Sequence, residues 1–136
     1  MATLTVKYGG GLIAEAKHLK SGSEIKTDAP EDNNGKGSTF SPTDLTAVSL
    51  ASCMITLMGI KAEKNGFSIS EVDAIVKKEM KTAPRRIGAV IITMNVKNRG
   101  YSEEQKSCLW EAAVQCPVAH SLHPDIEQSL EMNFVD

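Results

Sequence analysis

The sequence predicts a single α+β domain over residues 1–136, and three observations predict it. Strand-like segments come in groups of two or three and do not alternate one for one with helices. At 136 residues the chain has the size of one domain. Between Asp44 and Lys61 no charged residue occurs, so the helix expected there is apolar nearly all round and belongs in a core. One chain of this size has little material to cover such a helix on every side, and a second chain is expected to cover part of it.

Residues 3–8 and 12–18 alternate in polarity with period two and are joined at Gly9-Gly10-Gly11, which predicts a β-hairpin. Residues 24–27 make a third, short strand. Residues 28–39 are polar and rich in turn formers, a long loop of the functional or mobile kind. The central helix then starts at Ser41-Pro42-Thr43-Asp44. Ser41 can accept a backbone N–H as N-cap, Pro42 at the first helical position gives up no needed donor, and Asp44 completes a capping box. Asn65-Gly66 supplies the stop after Lys64.

Residues 67–81 and 86–97 read as two strands, the second more strongly because it is rich in β-branched side chains. Ser102-Glu103-Glu104-Gln105 is a second capping box, opening a helix over 102–115. Cys116-Pro117 opens a further short helix. Residues 127–135 close the chain as a strand with Leu130, Met132 and Phe134 on one face. No repeat or linker interrupts this order.

Composition removes several function classes. The formal charge of −2 and the 4% aromatic content argue against a nucleic-acid surface. The N-terminal segment lacks the apolar run of a secretion signal, and a cytoplasmic location is expected. Residues 41–60 read as too short and too rich in Ser and Thr to span a membrane, so no membrane partner is expected. Three cysteines in such a chain are buried, reactive or metal-binding in preference to a disulfide framework.

Two motifs fail on inspection. Gly35-Lys36-Gly37-Ser38-Thr39 suggests a phosphate loop, but Pro30 stands where its first glycine belongs and Gly37 where its Ser or Thr belongs. A flexible loop is the better reading. Cys116, His120 and His123 have part of a metal-ligand spacing but no fourth ligand, so neither metal nor other cofactor is expected.

The cysteines carry more. Cys116 sits at a helix N-cap, where the dipole is expected to lower its pKa. Cys53 lies well inside the central helix. Its default reading is a buried structural thiol, and reactivity there needs a cation supplied in three dimensions. Cys108 is mid-helix and reads as structural.

The run Ser41 to Cys53, the Glu63-Lys64-Asn65-Gly66-Phe67 helix end, the strand pair around Pro84-Arg85-Arg86 and the segment Gln115-Cys116-Pro117 resemble, in this order, the OsmC/Ohr family. These are osmotically induced and organic hydroperoxide resistance proteins. The resemblance implies a curved antiparallel sheet on a long buried helix, in an intertwined homodimer. It implies that Cys53 is the peroxidatic thiolate, oxidised to a sulfenic acid by a small hydrophobic hydroperoxide. Cys116 would resolve it as a Cys53–Cys116 disulfide, which a dithiol reductant, lipoyl-type in related proteins, reopens. No cofactor is implied.

The sequence departs from the family at one point. Family members hold the thiolate with an arginine from the loop before the central helix, oriented by a glutamate beside the helix-start proline. This chain has no arginine before Arg85, and Thr43 and Asp44 follow Pro42. Asp44 is the candidate for the glutamate's place. Lys26, Lys36, Arg85 and Arg86 are candidates for the cation, the lysines without arginine's planar fork. The departure argues for weak or altered peroxidase activity and leaves a non-catalytic, small-molecule-binding stress protein as the alternative.

Overall fold

The computed structural model describes residues 2–136. The chain divides into two compact units, one ending at Thr46 and the other running Ala47–Asp136.

The first unit is an antiparallel meander of β1 (Leu4–Tyr8), β2 (Ile13–His18) and β3 (Glu24–Asp28). Its register puts Val6 opposite Ala16 and Ala16 opposite Ile25, so the period-two pattern gathers the apolar residues on one face. That face is open within the chain: Val6 is 70% and Ile25 52% exposed. The other face carries Lys7, Glu15 and Lys26 side by side, with Lys26 Nζ 3.7 Å from Glu15 Oε1.

The segment after β3 is more structured than the flexible loop the sequence suggested. It contains a 3-10 turn, Glu31–Asn33, and is tied back on itself by Gly35 N–H to Pro30 O and Gly37 N–H to Ala29 O. Gly35 is required there, because a Cβ would lie 1.7 Å from Ala29 O. Buried Asp28 fastens the segment: its Oδ2 accepts both the backbone N–H of Ser38 at 3.0 Å and the Ser38 hydroxyl.

Helix α1 (Pro42–Lys64) begins and ends on the predicted signals. Ser41 Oγ accepts from Asp44 N at 3.0 Å while Asp44 Oδ2 accepts from Ser41 N at 2.9 Å, a reciprocal capping box. At the other end Phe67 N–H reaches Ala62 O and Gly66 N–H reaches Glu63 O, with Gly66 at φ 79°. This is a Schellman motif, and the left-handed turn suits glycine.

The second unit holds β4 (Val72–Lys81), β5 (Arg86–Lys97), α2 (Glu103–Val114), α3 (Pro117–Ser121) and β6 (Glu127–Val135). Its sheet has the order β4-β5-β6. β4 and β5 are antiparallel, as expected, whereas β6 runs parallel to β5, so this second sheet is mixed. The reason is the connection: α2 and α3 form a crossover that returns the chain to the starting end of β5 before β6 begins.

Within the chain α1 buries one stripe and not its whole circumference. Leu50, Met54, Met58 and Ala62 pack with Val90, Ile92, Met94 and Val96 of β5 and with Leu109 and Ala113 of α2. Val48 and Ile60, off that stripe, stay 42% and 43% exposed. The helix, at 23 residues, is long and apolar enough to cross a membrane by length and composition, which corrects the reading of it as too short. Its buried stripe against β5 is the packing of a core helix, which passes the same test.

Candidate active site

The structure brings two of the three cysteines together. Cys53 projects from the middle of α1 and is half-buried against the core. Cys116 is the N-cap of α3 and fully buried. The local sequence fixes it there: Pro117 at the first helical position has no N–H to lose, and Cys116 Sγ accepts from Ala119 N–H at 3.4 Å. The Cys116 and Cys53 side chains are neighbours, and both thiols are free.

The expected effect of the N-cap on Cys116 is reversed. Burial, the largest influence, pushes the thiol above its ordinary 9.0, and the Ala119 N–H lowers it by less. The neighbouring Cys53 side chain, and the charge it would carry as a thiolate, push it up further. A five-residue helix offers little dipole to oppose desolvation of a buried anion. Cys116 therefore keeps its proton at neutral pH and can direct it toward Cys53.

Cys108 stands apart from this pair, with its Sγ 3.7 Å from Asn65 Nδ2 at the end of α1. His120 is exposed, and His123 Nδ1 accepts the backbone N–H of Asp125 at 3.0 Å. Among the described residues no group of His, Cys, Asp and Glu is arranged to hold a metal.

The candidate supporting residues are placed as follows. Arg86 donates to the carbonyls of Thr82 and Pro84 at 3.1 and 2.9 Å, within the turn of its own hairpin, and Arg85 belongs to the same turn. Lys36 lies near enough to Asp28 to favour its carboxylate, and Lys26 pairs with Glu15. Asp44 closes the α1 capping box, with Thr43 Oγ1 3.2 Å from Ser41 Oγ.

Sequence reasoning missed what lies along the helices from the thiols. Leu57, one turn after Cys53, and Gln115, next to Cys116, both line a groove of about 320 Å³. Helical spacing from Cys53 was the available signal.

A fold of this kind with two adjoining thiols defines a class. A family model describing OsmC-like proteins matches residues 35–131, and the chain belongs to that family. It is similar over 97% of its length, and 96% of the other chain, to a protein of Psychrobacter arcticus 273-4 provisionally described as an osmotic stress induced and detoxification response protein, with 46% identity and a TM-score of 0.91. The organic hydroperoxide resistance protein OsmC of Legionella pneumophila shares the fold at 18% identity and a TM-score of 0.74, each chain covered over 98%. OhrB of Bacillus subtilis, an organic hydroperoxide resistance protein, shares it at 20% identity and 0.67, each chain covered over 97%. No curated protein matches the chain.

Proposed function

We propose that this protein is a thiol-dependent peroxidase that reduces organic hydroperoxides in a stress response. The observation that carries the reading is the proximity of the Cys53 and Cys116 thiols in a chain of the OsmC-like family. Cys53, as thiolate, attacks one oxygen of the hydroperoxide. The O–O bond breaks, the alkoxide takes up a proton and leaves as alcohol, and Cys53 is oxidised to a sulfenic acid. Cys116 then attacks the Cys53 sulfur. The S–S bond forms, the S–O bond breaks, and the hydroxide departs as water with the Cys116 proton. A dithiol reductant closes the cycle by exchange, ending as its own disulfide. Burial of Cys116 fits this order, since a thiol that stays protonated supplies the proton the leaving hydroxide needs. The apolar surroundings of Cys53 suit an alkyl hydroperoxide better than hydrogen peroxide.

The cycle works in a reducing cytoplasm, and we assign the protein there. The open apolar face of the first sheet and the open side of α1 support a homodimer.

A second reading, a non-catalytic ligand-binding protein, is favoured by one observation: Arg86 is engaged in its own turn and no arginine precedes Arg85. Reduced protein mixed with cumene hydroperoxide and a dithiol decides between them. Turnover faster than with hydrogen peroxide, abolished by Cys53→Ser, supports the enzyme. Thiols inert to every hydroperoxide support the binding protein.

A further inference from the structure

We infer that Lys78 supplies the positive charge that holds Cys53 as a thiolate, an inference that rests on the peroxidase reading above. The second sheet turns one face toward the helices. On β4 that face carries Val72, Ala74, Val76, Lys78 and Met80, which alternate with the exposed residues of the strand. On β5 it carries the core residues Val90, Ile92, Met94 and Val96, and on β6 it runs from Gln128 to Phe134 at every second residue. Among the described residues Lys78 is the one ionisable side chain on that face. It is half-buried, and turning an ammonium group toward a core costs desolvation that its charge must offset.

Register places this charge at the level of the thiols. Lys78 is opposite Val90, and Val90 is opposite Gln128, so the three form one row across the sheet. Gln128 Nε2 donates to Ala119 O at 3.0 Å, and the N–H of the same Ala119 donates to Cys116 Sγ at 3.4 Å. Cys116 neighbours Cys53. Two strand spacings put the Lys78 backbone about 10 Å from that of Gln128, and the lysine stem spans part of the gap. A unit charge roughly 10 Å away through protein favours an anion by about one pH unit. The other charges on the surrounding elements lie off this row. On α1 the nearest in sequence are Lys61 and Asp44, eight and nine residues from Cys53. The core-facing Leu109 and Ala113 of α2 are apolar, and Lys106 stands over the Phe134 ring, six residues along β6 from Gln128. On α3 His120 is exposed. An inward lysine on an edge strand such as β4 also discourages edge-to-edge pairing, a role that would leave Cys53 untouched.

The test follows alkylation of Cys53 against pH, by mass spectrometry, in the reduced full-length protein at low salt. Lys78→Met suits the apolar face and removes the charge, and it is expected to move the midpoint of Cys53 alkylation up by about one pH unit. Lys78→Arg should restore the midpoint. Cumene hydroperoxide reduction near neutral pH should fall by up to about tenfold in Lys78→Met and recover as the pH rises, a pattern that lost packing would not give. Lys78→Gln, with its polar end, serves in place of Lys78→Met where the latter fails to fold. A midpoint that stays put in the uncharged variant, or that moves equally in Lys78→Arg, overturns the inference, and continued turnover then leaves the peroxidase reading standing. A Lys78-dependent midpoint in a protein that turns over no hydroperoxide instead removes the peroxidase reading and keeps the pairing of Lys78 with the thiolate.

Discussion

The thiol of Cys116 neighbours that of Cys53, although one caps a short helix and the other sits in the middle of a long one. The two sulfurs are not equivalent. Cys116 is fully buried and held as a thiol, while Cys53 is half-buried.

This asymmetry predicts an alkaline stability loss that belongs to Cys116. Its folded pKa lies above the ordinary 9.0, so the native state holds the proton more tightly than the unfolded chain does. The stabilisation is complete below 9.0 and declines as pH rises from there through the folded value. Urea unfolding at increasing pH should show this decline in the reduced protein, and Cys116→Ala should remove it. Cys53→Ala should bring the Cys116 titration down, because the neighbouring Cys53 side chain and its charge both push it up. Alkylation of Cys116 as a function of pH, followed by mass spectrometry, checks both.

Asp28 predicts the opposite pH behaviour. The Ser38 hydroxyl and backbone N–H hold its carboxyl below the ordinary 3.8, with Lys36 adding a smaller contribution. Its stabilisation is present above 3.8 and is lost as pH falls through the depressed value. Ser38→Ala should move the acid unfolding midpoint to higher pH, and an unchanged midpoint would show that the loop closure contributes nothing.

Two substitutions on α1 separate the core from the open side. Met58 is fully buried, and Met58→Ala should cost about 2–5 kcal/mol of unfolding free energy. Val48 is 42% exposed in the single chain, so Val48→Glu should leave the isolated fold intact. If a second copy covers that side, as proposed, Val48→Glu converts dimer to monomer in light scattering. A dimer unaffected by Val48→Glu places the contact elsewhere.

Local chemistry made most of the fold legible. The two capping boxes, Asn65-Gly66 and Cys116-Pro117 are short-range signals, and the chain obeys each of them. What stayed hidden depends on residues distant in sequence. The parallel pairing of β6 with β5 follows from the course of the α2–α3 crossover, which no periodicity encodes. Asp28 looked like one more polar loop residue until the chain returned Ser38 to it. The pKa of Cys116 was misread because the N-cap is visible in sequence and the depth of burial is not. The pairing of Cys53 with Cys116 came from family resemblance, since nothing in either helix alone points to the other.

One measurement tests the central claim most directly. Reduced protein is treated with one equivalent of cumene hydroperoxide, quenched with an alkylating agent and digested without reductant. The account predicts a peptide pair cross-linked through Cys53 and Cys116, with Cys108 alkylated. Full alkylation of both Cys53 and Cys116, or a cross-link through Cys108, would contradict it.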